Sequence, residues 1–135
     1  MKGGLATLVN AATITTAATV TGTALPTRGL THLLVEAALT YGSGGTTVKV
    51  YIQTRCEGGT WRDVMCMTFT TASAKKFCKT SINIACAASI AVSDAALSDD
   101  TILDGFLGDE IRAKYVSTGT YADSTSLNVI ASAKY

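Results

Sequence analysis

Few residues of this chain have side chains suited to catalysis or metal binding, and their spacing matches no catalytic or metal motif. Histidine occurs once, at His32, and cysteine occurs at positions 56, 66, 78 and 86. A nucleophilic triad needs a nucleophile, a base and an orienting group within hydrogen-bond reach, and no G-x-S-x-G motif accompanies the histidine. The cysteine spacing fits neither a zinc nor a redox motif. We therefore predict a protein that is not an enzyme, with no catalytic residue, no metal site and no cofactor.

Two alternatives remain for the cysteines. A turn through residues 70–74 would place Cys66 opposite Cys78 with Cα atoms roughly 4.5–5.5 Å apart, a distance that permits a disulfide. The same register would turn Lys79 inward, which argues against it. Free thiols that are buried as small hydrophobic groups are the favoured alternative.

Acidic residues cluster between positions 94 and 110, where six acids occur without any Lys or Arg. The EF-hand pattern fails there, because Ile102 would take the third ligand position if Asp100 took the first. An irregular Ca²⁺ site stays open, and Asp63 has no second carboxylate to work with in glycoside cleavage. Residues 28–79 hold seven basic and three acidic side chains. Opposite patches could meet head to tail in an assembly, although solvated loops are the simpler interpretation.

Four aromatic residues, Tyr41, Tyr51, Trp61 and Tyr121, have rings that could stack against a sugar. Strand alternation places Tyr41 and Trp61 on the inward side and Tyr51 on the outward side, so they do not form one exposed row. Packing of these rings in the core is therefore favoured over carbohydrate binding.

The elements that carry these residues are predicted to be β-strands. Residues 46–55 alternate between apolar and polar side chains, which is the signature of a strand with one buried face. A hairpin closed with Cys56 opposite Trp61 gives every inward residue an apolar partner. The predicted pairs are Val48 with Phe69, Val50 with Met67, and Ile52 with Met65.

The preceding segment is predicted to form a second hairpin with the same strand. Closing the loop at residues 42–45 pairs Leu39 with Val48, Ala37 with Val50 and Val35 with Ile52, on the same inward face. A helix over residues 30–41 is the alternative, because Leu30, Leu33, Leu34, Ala37 and Tyr41 fit a helical stripe.

The whole chain is predicted to be a single all-β domain, an antiparallel β-sandwich or jelly roll of seven to eight strands. Further strands are predicted at about 5–14 and 17–25, from Phe77 to about Ala87, at 111–118 and at 127–134. Residues 93–109 are predicted to be an irregular excursion with one short helical turn at 101–104. A formal net charge of +1 argues against nucleic acid as a partner. No apolar run reaches the roughly 18–20 residues of a membrane span.

The N-terminal segment, residues 1–27, stands apart because positions 3–27 contain no charged residue. We predict a neutral strand or arm here, followed by a sandwich core at 28–135. Natural edge strands carry charges, Pro or bulges that block further pairing, so this segment either lies inside a sheet or is covered by a neighbouring subunit. If it is an arm, deleting residues 2–20 should leave a folded core. The predicted subunit-contact residues are Leu5, Leu8, Val9, Ile14 and Val20.

Five segments resemble a group of small structural proteins from the virions of tailed bacteriophages. These segments are 47–54 (TVKVYIQT), 58–64 (GGTWRDV), 69–74 (FTTASA), 103–109 (LDGFLGD) and 114–121 (KYVSTGTY). The four cysteines depart from the pattern of that group.

The resemblance implies a non-enzymatic virion component assembled in the host cytoplasm, above all a capsid decoration or cement protein that stabilises the shell. Its expected partners are the major capsid protein, other virion proteins and further copies of itself, without nucleic acid or membrane. The alternatives are a carbohydrate- or receptor-binding sandwich on the virion surface and a head–tail or tail adaptor.

Overall fold

The structure is a computed structural model that describes residues 4–82, 89–103 and 105–134. These residues form eleven strands and no helix. The strands are β1 (Gly4–Thr13), β2 (Ala18–Thr21), β3 (Leu25–Pro26), β4 (His32–Thr40), β5 (Ser43–Gly44), β6 (Thr47–Arg55), β7 (Arg62–Phe69), β8 (Ala74–Ser81), β9 (Glu110–Thr118), β10 (Tyr121–Ala122) and β11 (Ser126–Lys134).

Two antiparallel sheets pack together into a β-sandwich, which confirms the predicted fold class with more strands than expected. One sheet has the strand order β1-β11-β4-β8. The second has the order β2-β9-β6-β7, with β3 also pairing β9. A third, two-stranded ribbon of β5 and β10 lies where the chain crosses from β4 to β6.

The β6–β7 hairpin has the three predicted pairs. Val48 faces Phe69, Val50 faces Met67 and Ile52 faces Met65. The register then shifts by one residue, so that Gln53 is opposite Asp63. This irregularity makes the predicted pairing of Cys56 with Trp61 wrong.

The predicted β4–β6 hairpin is wrong, although the inward faces of both strands were predicted correctly. β4 hydrogen-bonds to β11 and β8, whereas β6 hydrogen-bonds to β7 and β9 in the other sheet. Val35 and Ala37 of β4 are fully buried in one core cluster with Val48 and Val50 of β6. The two strands therefore contribute to the same core from opposite sheets. The helical alternative for residues 30–41 is also wrong.

The described part of the N-terminal segment contributes strands to both sheets. β1 pairs β11, while β2 and β3 pair β9, so the chain crosses from one sheet to the other between β1 and β2. Because β1 and β2 end their sheets, the expectation that this segment lies inside a sheet is wrong. Covering by a neighbouring subunit stays a prediction.

Two other predicted secondary-structure elements differ from those in the structure. The strand expected to end near Ala87 is observed as Ala74–Ser81, and residues 83–88 lie outside the described residues. The helical turn expected at 101–104 is wrong for residues 101–103, where Ile102 forms an isolated antiparallel bridge to Met65; Asp104 lies outside the described residues.

Gly45 and Gly58 both have a left-handed backbone conformation, and we expect substitution of Gly45 to destabilise the fold more than substitution of Gly58. Gly45 has a φ of +72°, and a Cβ there would lie 2.3 Å from the buried Tyr121 ring. Gly58 has a φ of +75° and nothing within 4 Å of that position. Gly45→Ala should lower the free energy of unfolding by about 2–4 kcal/mol and Gly58→Ala by about 1–2 kcal/mol. Urea unfolding of both variants measures the difference, and equal losses would contradict it.

Candidate functional site

The excursion, residues 93–109, covers the edge strand β7. Backbone N–H groups of Asp63 and Cys66 donate to the carbonyl oxygens of Ser93 and Thr101 at 2.9 Å, and the Leu103 N–H donates to the Val64 carbonyl at 2.7 Å. These hydrogen bonds occupy backbone N–H and C=O groups of β7 that would otherwise be free to pair with a strand of another chain.

Asp63 anchors the start of this excursion. Its buried carboxylate accepts hydrogen bonds from the Gln53 amide at 2.9 Å and from the Ser93 hydroxyl at 3.0 Å. Three consecutive backbone N–H groups, at residues 95–97, donate to the same carboxylate at 2.9–3.2 Å. The group is thus committed to holding a loop, which leaves it poorly placed to transfer a proton to a substrate.

Acidic side chains of the excursion pair with bases of the sandwich. Asp94 accepts from Lys114 at 2.8 Å, and hydrogen bonds from Lys114 and then Gln53 hold the pKa of Asp94 below its usual value. Hydrogen bonds from Lys49 and Thr68 likewise lower the pKa of Asp99.

Asp100 and Asp109 of the excursion, and Glu110 at the start of β9, are paired in the same way, whereas Asp104 lies outside the described residues. Burial acts to raise the pKa of Asp100, but the Lys76 ammonium at 2.8 Å and the Thr68 N–H bring it below the usual value. Asp109 contacts Arg28 at 3.4 Å, and Glu110 contacts Arg55 at 3.1 Å. The opposite charges predicted to meet between molecules therefore meet largely within one chain.

The aromatic residues form no common row for sugar stacking in the described structure. The guanidinium carbons of Arg55 and Arg112 lie 4.5 and 4.4 Å from the centroid of the Trp61 ring. The Tyr121 ring is buried, and its hydroxyl donates to the Thr70 carbonyl at 2.9 Å. Tyr51 lies on the outward side of its strand, as alternation predicted, but it is buried because the excursion covers that side.

The structure describes His32 and three of the four cysteines, whereas Cys86 lies outside the described residues. Cys66 on β7 and Cys78 on β8 lie in different sheets, so the cross-strand pairing considered for them is wrong, and both thiols are free. Burial raises the pKa of each thiol, which disfavours the reactive thiolate. His32 is exposed, with its Nδ1 atom 2.7 Å from the Thr31 hydroxyl. Among the described residues, no group of three or more His, Cys, Asp or Glu could hold a metal ion.

The predicted subunit-contact residues fall into different environments. Val9 and Ile14 are buried in the core of their own chain, and a subunit contact through these two residues stays a prediction. Leu8 is half-buried against that core, and Val20 is exposed on β2. The side chain of Leu5 lies outside the described residues.

Sequence reasoning missed an apolar patch on the outer face of the four-stranded sheet. The outer patch consists of Leu34 on β4, Phe77 on β8 and Ile130 on β11. Leu34 is 42% exposed and Phe77 63% exposed. The register places Glu36 between Phe77 and Ile130, and the four residues line one shallow groove. The sequence did contain a signal for this patch. Each of the three strands has one large apolar residue at an outward-facing position, where its other residues are mostly polar.

A basic rim surrounds the outer patch. Lys79 pairs with Leu34 across the sheet, and Lys75 and Lys134 lie on the same face. A cleft of about 470 Å³ runs beside Leu34 and is bordered by Lys79, Lys134 and His32. Lys75, Lys79 and Lys134 form no ion pair with any described residue. The lysines that contact the excursion, Lys49, Lys76 and Lys114, each form one.

Searches against protein-family models, curated proteins and solved structures find no match to this chain. None of the described residues belongs to a helix long and apolar enough to cross a membrane. A function for this chain must therefore be inferred from its own surfaces and contacts.

Proposed function

We propose that this protein is a non-enzymatic structural component of a phage virion, and specifically a decoration or cement protein on the capsid. The resemblance of its strands and loops to small virion proteins suggests the class. The observation that carries the proposal is the outer patch, where Leu34 and Phe77 expose apolar surface along one groove. Exposed apolar groups with a polar rim are typical of protein–protein contact sites.

The chemistry of the rim favours a particular type of partner. Lys75, Lys79 and Lys134 make this face basic, while the described acids of the excursion pair with basic side chains of the same chain. A complementary surface is apolar at its centre and acidic around it. On a capsid, such a surface would be repeated many times. A protein that binds the assembled shell and not the free subunit stabilises the shell by mass action.

Phe77→Asp is expected to weaken binding to assembled shells at least about tenfold while the protein stays folded, because a desolvated carboxylate replaces an apolar contact. The measurement is co-sedimentation of purified protein with shells of the phage that encodes it. Val92→Asp is the matched control, since Val92 is 55% exposed and lies outside the sheet that carries the outer patch. Equal binding by the two variants would overturn the role of the patch.

Copy number separates the decoration role from the alternatives. A decoration protein should occur in numbers comparable to the major capsid protein in purified virions, measured by quantitative mass spectrometry. A head–tail or tail adaptor would occur in few copies. Carbohydrate or receptor binding is the weaker alternative, because Trp61 contacts two guanidinium groups and Tyr121 is buried; a glycan array tests it directly.

A further inference from the structure

The outer strands of the sandwich differ in how they are protected against pairing with another chain. β7 is covered by the excursion. β8 carries Lys75, Lys76 and Lys79 within eight residues, and β3 contains Pro26. Charged side chains, Pro and covering loops are the usual protections of an edge strand.

In the part of the chain that the structure describes, the first half of β1 has none of these protections. β1 pairs only with β11 in its sheet. Residues 4–7 pair β11 in regular register, and the irregularities begin only after Thr7, between Thr7 and Val9 and between Val9 and Ala12. No residue from 4 to 13 is charged or is Pro. Within the described ranges 4–82, 89–103 and 105–134, no second strand pairs with residues 4–7, so their backbone groups on the side away from β11 can serve as a template for one more strand.

The absence of charge bears on which strand can pair there. When two copies of a strand pair antiparallel about a two-fold axis, each residue near the axis meets a copy of itself or of a near neighbour. Like charges placed opposite each other destabilise a sheet, so a lysine-rich strand such as β8 is a poor partner for itself. A strand without charged residues has no such repulsion, so two copies of β1 can pair with each other.

We propose that a second copy of this chain pairs with residues 4–7 of β1 through its own residues 4–7. The two copies are antiparallel, and the two four-stranded sheets become one continuous sheet. The contact is made by main-chain hydrogen bonds, as in other cases where a strand is added to a sheet edge. It is a property of the free protein and does not depend on the capsid role or on the outer patch.

The association is expected to be weak. Pairing of four residues from each copy buries less than the roughly 1,000 Å² typical of a stable complex. We expect a dissociation constant between about 10 µM and about 1 mM, so the pairing becomes important only where copies are crowded.

The test combines sedimentation with hydrogen exchange on the full chain. Raising the concentration from about 20 µM to about 1 mM should shift the wild-type protein from monomer towards dimer. Exchange of β1 amides should slow by about twofold or more over that range, while β8 amides stay unchanged. Monomers at the highest concentration, or protection confined to β8, would overturn the proposal.

Charge variants at Thr7 test whether the contact is between identical strands. Thr7 is exposed at the end of the regular stretch, and Thr71 is exposed in the turn after β7. With the two-fold axis at Ala6, the position-7 side chains of the two copies are diagonal neighbours on one face of the sheet, within reach of long charged side chains. Thr7→Lys and Thr7→Glu should therefore each weaken dimerisation about tenfold, and an equimolar mixture of the two variants should recover it, because opposite charges are then neighbours across the axis. Thr71→Lys is the matched control and should dimerise normally. A mixture as monomeric as its components would contradict pairing of β1 with itself.

Discussion

Asp63→Ala is expected to release the excursion from the sandwich and to lower the free energy of unfolding by about 3–5 kcal/mol. The carboxylate is fully buried and serves five donors: the Gln53 amide, the Ser93 hydroxyl and three backbone N–H groups. Alanine offers no acceptor, so these donors must either stay unsatisfied or leave the buried site. Each unsatisfied buried donor costs about 1–3 kcal/mol, which makes local opening the cheaper response.

Opening of the excursion would uncover β7. Urea unfolding gives the overall loss, and native-state hydrogen exchange gives its location. The Cys66 amide donates a hydrogen bond to the excursion, and the Leu103 amide of the excursion donates one to β7. Both amides should exchange much faster in the variant than in the wild type. We also expect concentration-dependent aggregation, because β7 becomes an uncovered edge.

Asp99→Ala is the matched control for this experiment. Asp99 belongs to the same excursion and pairs with Lys49 at 2.9 Å, but its side chain is 56% exposed. Solvent screens an exposed ion pair, which therefore contributes little to stability, so this variant should unfold almost as the wild type does. Asp63→Asn, which keeps one acceptor oxygen, should fall between the two. If Asp63→Ala lost no more stability than Asp99→Ala, the anchoring role would be wrong.

Deleting residues 2–20 is expected to prevent folding, in contrast to the expectation for a separable arm. The deletion removes the buried side chains of Val9 and Ile14 and leaves β11 without its partner β1. Truncating each buried aliphatic side chain costs about 1–4 kcal/mol, before any loss of strand pairing is counted. A domain of this kind is stable by only about 5–15 kcal/mol in total.

Circular dichroism and dispersion of amide NMR signals measure the outcome. The shortened chain should lack a cooperative unfolding transition. Val20→Ser is the control, because it changes an exposed residue of the same segment and should leave the fold intact. Val9→Ala combined with Ile14→Ala should give a folded but weakened protein. A truncated chain that unfolds cooperatively at the wild-type midpoint would contradict the integration of β1 into the core.

The sequence by itself determined which strand faces are buried. Alternation along residues 46–55 identified Val48, Val50 and Ile52 as inward, and the short loop to β7 brought Met67 and Phe69 opposite the right residues. This succeeds because side-chain direction in a strand has a period of two and depends only on the local chain. The helical alternative for residues 30–41 stayed open at that level, and only the observed strand β4 shows that it is wrong.

Which strands are neighbours was decided only by the tertiary structure. β4 and β6 carry the same inward alternation whether they lie side by side or on opposite sheets, because both arrangements bury Val35 and Val50 in one core. The long-range contacts at Asp63 had no local signal either, since its partners at residues 93–97 lie about thirty positions away. A local pattern reports the face on which a side chain lies, whereas pairing and loop docking depend on the free energy of the whole assembled sandwich.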